Sequence, residues 1–259
     1  MSRATEQRHA AIVDELLDRK HVTVSQLSAD MNVSEATIRR DLRALAEQNE
    51  VRLVHGGATV RRSADYSFSA KSSRQPNAKV VIGRLAAELV ADGSQVFIDS
   101  GTTCFQMAPF LRRRERVLVL ATSIRLAMEL DVPDVEVILL GGHFRPARMD
   151  TVGPLAQSAL DQLRGFTAFI GADGISQEVG PAASDMDSAH LHQLVVRRAR
   201  QTYLLADSSK FIEPSLFRIA EWDQIDGVIM DGPPATEWAI FFEQRDIQVI
   251  CANEEDDDA

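Results

Sequence analysis

Cysteine is almost missing from this chain. Cys104 and Cys251 are its only two, far apart and without a partner at metal-ligand spacing, which excludes a disulfide framework and gives no sign of a zinc site. No stretch approaches the roughly 18 apolar residues of a membrane span, and the opening Met-Ser-Arg-Ala-Thr-Glu-Gln-Arg-His is too polar for a secretory signal, so a cytoplasmic protein with no membrane partner is expected. Internal repeats are absent, and the one biased tract is the acidic Glu254-Glu255-Asp256-Asp257-Asp258, expected to be solvated. Positive charge is also short: 28 Lys and Arg face 38 Asp and Glu, a net charge of −10, which for the chain as a whole argues against a nucleic-acid partner. What is present, 45% hydrophobic and 25% charged over 259 residues, is the composition of a globular protein of two domains.

Two kinds of periodicity divide the chain. Up to about Asn49 apolar residues recur at helical spacing, whereas from Val80 onward apolar runs of strand length alternate with helical stretches. The expected division is a first domain at residues 1–60, a linker at 61–78, a second domain at 79–253 and an acidic tail at 254–259. Charge divides with it. Residues 1–62 hold 10 basic and 9 acidic side chains, leaving 18 against 29 for the remainder, so the acidity belongs to the second part.

In the first part, Ile12, Val13, Leu16 and Leu17 share the face of one helix. Thr23, with Gln26 three residues on, has capping-box spacing for a second helix, and Asn32-Val33-Ser34 breaks that helix. Ser34 suits the N-cap of a third, from Glu35 to about Gln48, in which Ile38, Leu42 and Leu45 face inward and Thr37, Arg39, Arg40 and Arg43 are pushed outward. That order is a helix-turn-helix, whose last helix enters the major groove. Arginine grips guanine or phosphate with two parallel bonds, and threonine touches base edges. Val51 to Val60 alternates around Gly56-Gly57 and is expected to form a hairpin wing that brings Arg52 and His55 to the DNA backbone. Ser34, Glu35, Thr37, Arg39, Arg40, Arg43, Arg52 and His55 are therefore the candidate DNA-binding residues.

The run Val33-Ser34-Glu35-Ala36-Thr37-Ile38-Arg39-Arg40-Asp41-Leu42, together with Leu27 and His55-Gly56-Gly57-Ala58, resembles the DeoR family of bacterial transcriptional regulators. The resemblance implies a winged helix-turn-helix, usually a repressor, coupled to a C-terminal sensor of a phosphorylated sugar or related metabolite. It departs at Asn49-Glu50, where the family commonly has glycine.

The second part offers strands at 95–99, 117–121, 135–140, 167–171, 202–207, 227–230 and 248–251, with helical patterns between most of them. Such alternation predicts a mainly parallel sheet covered on both faces, making the whole chain an α+β protein with an α/β second domain. Ligands of such folds collect at the carboxyl ends of strands. Those ends carry Asp99-Ser100-Gly101-Thr102-Thr103, Thr122-Ser123, Gly141-Gly142, Gly171-Ala172-Asp173-Gly174 and Asp207-Ser208-Ser209-Lys210-Phe211. A hydroxyl-rich turn at a helix N-terminus suits an anion, and glycine lets backbone approach a ligand. His143, with Arg145 or Arg148, adds a ligand-facing candidate.

The family resemblance continues through Lys79, Val152-Gly153-Pro154 and the strand ends, and the sensor looks like ribose-5-phosphate isomerase. By that analogy Ser100, Gly101, Thr102 and Thr103 cradle a phosphate, while Asp99, Asp173 and Lys210 approach sugar hydroxyls or phosphate. Departures lie at Thr122, where an asparagine is common, at Pro181-Ala182-Ala183, and at Asp187 to His192, where a glutamate and a lysine are common. His190 and His192 are two apart and point in different directions on a helix, so no metal site is expected from them. The expectation is a DNA-binding regulator, dimeric or tetrameric, with double-stranded operator DNA and a phosphorylated sugar as partners, no cofactor, no metal and no catalysis. Its rivals are a sugar-phosphate isomerase with a DNA-binding appendage and a DNA binder whose sensor no longer responds.

Overall fold

The computed structural model describes residues 3–19, 21–47, 51–60, 68–211 and 214–252, in two compact units, residues 1–74 and 75–259. Asn49-Glu50 and the acidic tail lie outside the described residues.

The first unit runs α1 (Arg3–Arg19), β1 (His21–Thr23), α2 (Val24–Asp30), α3 (Glu35–Glu47), β2 (Val51–Val54), β3 (Gly57–Val60) and α4 (Phe68–Ser73). Ile12, Val13 and Leu16 of α1 pack with Leu27 of α2, with Ile38, Leu42 and Leu45 of α3, and with Val51 and Ala58 of the wing. The side chain of Leu17 lies outside the described residues. Both sequence-predicted caps form. Thr23 and Gln26 exchange bonds of 3.2 and 3.0 Å in a capping box, and Thr37 N donates to Ser34 Oγ at 3.2 Å. Asn32, at φ 52°, makes the left-handed turn between α2 and α3.

The wing differs from expectation. Its turn is His55-Gly56, with Gly56 at φ 75°, and Gly57 already belongs to β3, paired with Val54. Gly57 is needed for another reason: a Cβ there would stand 2.1 Å from the Val22 carbonyl oxygen. That clash would push away β1, which pairs with β3 to give a three-stranded sheet ordered β1-β3-β2. Three residues are too few to show strand alternation, so β1 is not visible in the sequence. The linker expected at 61–78 is shorter: residues 61–67 lie outside the described residues, Phe68–Ser73 is helical, and the next helix begins at Pro76.

The second unit continues with α5 (Pro76–Glu88), β4 (Gln95–Ile98), α6 (Thr102–Phe105), α7 (Ala108–Leu111), β5 (Val117–Ala121), α8 (Ile124–Glu129) and β6 (Val135–Leu139). A hairpin, β7 (His143–Arg145) and β8 (Asp150–Val152), leads to α9 (Pro154–Asp161) and β9 (Thr167–Gly171). Then come β10 (Gly174–Ser176), β11 (Gly180–Ala183), α10 (Met186–Arg198), β12 (Gln201–Leu205), β13 (Phe217–Arg218), β14 (Gly227–Met230), α11 (Thr236–Glu243) and β15 (Gln248–Cys251). The seven strands predicted from the sequence form one sheet ordered β15-β14-β12-β9-β4-β5-β6, and every adjacent pair in it is parallel. Alternation sorts its two faces: Val96, Ile98, Val119 and Phe169 pack with Ile82, Met107 and Leu111, while Phe97, Ala168, Ile170 and Leu204 pack with Leu160, Val195 and Phe242. Two small antiparallel sheets, β7-β8 and β10-β11-β13, were not anticipated. Among the described residues no helix is long and apolar enough to cross a membrane.

From β4 the chain moves outward through β5 to β6, then returns to β9 and moves the other way through β12, β14 and β15. The order therefore reverses between β4 and β9, and the carboxyl ends of those two strands are where a parallel sheet opens a crevice.

Candidate functional site

The outer face of α3 is the first candidate surface. Because Ile38, Leu42 and Leu45 are buried, helical geometry leaves Arg39, Arg40 and Arg43 exposed and Thr37 half-exposed. Glu35 is exposed and accepts a 2.7 Å ion pair from Arg39, one turn on, so of the candidates it restrains an arginine rather than reaching outward. Ser34 lies 2.9 Å from the Thr37 hydroxyl as well as capping the helix. Arg52 and His55 stand exposed on the wing. A groove of about 160 Å³ runs between α3 and the wing, lined by Arg39, Arg43, Leu53, Val54 and Gly56 among others. Leu53, 45% exposed, is an apolar member of this face that sequence reasoning passed over.

What holds α3 in place is Asp41, also unanticipated. It is 3% exposed, its Oδ2 accepts from Arg8 Nε at 2.6 Å, and its Oδ1 lies 3.3 Å from both Arg8 Nη2 and His9 Nε2. Burial works against the carboxylate, but the bonds to Arg8 and His9 prevail and hold Asp41 below its ordinary pKa. The ionised side chain thus ties α3 to α1.

The second candidate site lies at the β4–β9 reversal. Asp99, at the end of β4, accepts from Gly171 N, at the end of β9, at 3.3 Å through Oδ2, and its Oδ1 lies 2.8 Å from His192 Nε2. Both side chains are buried. Burial alone would raise the Asp99 pKa, yet the imidazole, with help from Arg148, takes it down to about 2. For His192 burial opposes the charge, Asp99 outweighs it, and the ring is held above its ordinary value. Gly101 follows because a Cβ there would come within 2.9 Å of Asp99 Oδ2. Thr102 and Thr103, in the first turn of α6, are buried beside it.

A charged cluster continues from this pair. Ser100 Oγ donates to Asp150 Oδ2 at 2.9 Å, and Arg145 grips Asp150 with two bonds of 2.8 and 2.6 Å. Arg145 also reaches Asp185 at 2.9 Å and Ser188 Oγ at 3.1 Å, and Arg148 reaches Asp185 at 2.7 Å. Asp185 caps α10 through Ser188 N at 2.9 Å, which fixes the helix that carries His192.

The remaining candidates are dispersed. Ser123, 1% exposed, caps α8 by accepting from Leu126 N with its hydroxyl, and the backbone carbonyl of the buried Thr122 accepts from Thr151 N. Gly142 is needed for packing, since a Cβ would meet the Val152 carbonyl oxygen at 2.5 Å; Gly141 has open space around it. His143 is exposed on β7. Asp173 accepts from the backbone N and hydroxyl of Ser184 at 2.9 and 2.6 Å. Lys210 lies half-exposed in the single turn Ser208–Phe211. Asp150, Asp185 and Ser188 were missed because they lie 50 to 90 positions from Asp99, on elements that only the sheet order brings there. Among the described residues no three His, Cys, Asp or Glu side chains are grouped to hold a metal ion.

Comparison with known proteins agrees with this division. The chain matches the DeoR-like helix-turn-helix domain over residues 8–64 and the DeoR C terminal sensor domain over residues 74–232. It is 33% identical to the uncharacterised HTH-type transcriptional regulator FruR of Bacillus subtilis, covering 83% of this chain and 87% of that protein. It is also 33% identical to the HTH-type transcriptional regulator GlpR of Haloferax volcanii, covering 87% and 89%, and 29% identical to the glycerol-3-phosphate regulon repressor of Escherichia coli, covering 88% and 91%. A solved ribose 5 phosphate isomerase A from Neisseria gonorrhoeae aligns at 17% identity and a TM-score of 0.39 over 52% of this chain and 53% of that one, too distant to bear on activity. With a reader and a sensor both matched and the relatives aligned across most of its length, the chain belongs to the DeoR family of DNA-binding transcriptional regulators.

Proposed function

We propose that this regulator controls carbohydrate genes, most simply as a repressor, and that a phosphorylated sugar bound at the carboxyl ends of β4 and β9 changes its affinity for operator DNA. The observation that carries the proposal is the pairing of an arginine face on α3 with a buried, charged cluster at the switch point of a parallel sheet. The names of relatives, among them a glycerol-3-phosphate regulon repressor, support the ligand class. A symmetric dimer or tetramer presents the recognition helices to repeated half-sites. In this reading the sensor binds without turnover.

The test begins with DNA selected from a random library by the full chain. Arg39→Ala with Arg40→Ala lowers its affinity at least tenfold and makes the salt dependence shallower, because bidentate base or phosphate contacts are each worth about 1–3 kcal/mol and release counterions. Unchanged affinity and salt slope refute the reader. A melting-temperature screen with phosphorylated sugars then tests the sensor, since a ligand of the native state raises stability with the logarithm of its concentration. Product formation from ribose 5-phosphate would replace the sensor with an enzyme.

A further inference from the structure

One atom at the switch point is left over. His192 Nε2 faces an ionised carboxylate, which only accepts, so Nε2 carries a proton and donates to Asp99. Nδ1, across the ring, is buried and has no hydrogen-bond partner among the described residues. Leaving a polar atom so is costly, and in a folded protein such an atom calls for a reason. The groups on neighbouring elements are already engaged. Asp150 of β8 takes Arg145 and Ser100, and Asp185 takes Arg145, Arg148 and the start of α10. Asp161 of α9 pairs with Arg198, and Arg218 of β13 pairs with Glu221.

We infer that His192 is an effector-contacting residue whose Nδ1 donates to an oxygen of the bound anion, so that anion and proton are taken up together. The inference rests on the sensor reading above and names how that site is regulated. An imidazolium donates from both nitrogens, whereas a ring protonated only at Nε2 offers a lone pair at Nδ1 and repels an anionic oxygen. The charge balance agrees: Asp99, Asp150 and Asp185 face two guanidiniums, and the imidazolium supplies the third cation. Arg148 opposes the proton on His192, Asp99 and Asp185 favour it, and an anion at Nδ1 would favour it further. Affinity is then highest in acid and falls as pH rises through the titration of the ring, by up to tenfold per unit.

The test uses the full chain with ribose 5-phosphate, fructose 6-phosphate and sn-glycerol 3-phosphate as probes, with dissociation constants measured from pH 6 to 8.5. His192→Gln keeps a donor toward Asp99 and deletes Nδ1. It weakens the best probe at least tenfold at pH 6, the value of one hydrogen bond to a charged group, and flattens the pH profile to that of the probe's own phosphate. His192→Lys keeps a cation and restores affinity without the pH dependence. In wild-type protein labelled with ¹⁵N-histidine, the probe shifts the Nδ1 resonance of His192, a readout independent of any variant's folding. A probe that binds wild type and His192→Gln with equal constants and equal pH profiles, or leaves Nδ1 unmoved, overturns the inference and spares the sensor. Failure of all three probes to raise the wild-type melting temperature or change DNA affinity overturns the sugar-phosphate reading, and this inference with it.

Discussion

The two units each bury an aspartate against a histidine and an arginine, with opposite results. In the reader, Asp41 receives Arg8 and His9, and among the described residues no buried side-chain atom of that cluster is left without a hydrogen-bond partner. In the sensor, Asp99 receives His192 within reach of Arg148's charge, and His192 Nδ1 stays open. The same residue types at similar burial thus build a closed lock in one place and an incomplete site in the other. If the proposed sensor site is right, the difference lies in completeness of hydrogen bonding, because a finished buried network has nothing left to offer a ligand.

Removing each aspartate breaks the comparison most directly. Asp41→Ala strands a guanidinium and an imidazole, and costs the reader about 3 kcal/mol, read as an early thermal transition in calorimetry together with loss of DNA binding. Asp99→Asn leaves the sensor folded at a smaller cost, about 1–2 kcal/mol, but removes the anion that holds the proton on His192, so any sugar-phosphate response disappears while DNA affinity without ligand persists. A smaller effect comes from pH. With His192 raised above its ordinary value, its stabilisation is complete below about pH 6.5 and is lost as pH rises through the folded pKa, so the sensor's melting temperature falls across that titration and does not in His192→Gln. At the acid end the lowered Asp99 and Asp41 both lose their contribution below about pH 4, and the two units weaken together. The smallest effect is at the surface: Arg84→Ala removes an exposed pair with Glu88 and changes stability by less than about 0.5 kcal/mol, measured by urea unfolding.

Legibility followed the range of the interaction. Helix caps at Thr23 and Ser34, the apolar stripe of α3 and the strands of the large sheet are local patterns, and each formed close to where the sequence placed it. Short elements with no period of their own, such as β1 and the β7-β8 hairpin, did not show. Glycines carry more than one demand: Gly57 read as a turn residue and stands in a strand, and at Gly57 and Gly142 alike a neighbouring carbonyl leaves no room for a Cβ. Ser123, read as a ligand hydroxyl, caps a helix through the same group, since the residue chemistry for both tasks is the same.

The overall charge of −10 shows the same limit, because the average concealed a reader with 10 basic and 9 acidic groups and an arginine face. Residue order alone determined that there are two domains, that the first reads DNA and that the second is a parallel sheet with polar strand ends. Periodicity and capping act between neighbours, so a sequence states them outright. Only the tertiary structure decided which strand ends meet. The reversal of strand order between β4 and β9 sets Asp99 against His192, 93 positions away, and buries a ring nitrogen that has no hydrogen-bond partner among the described residues.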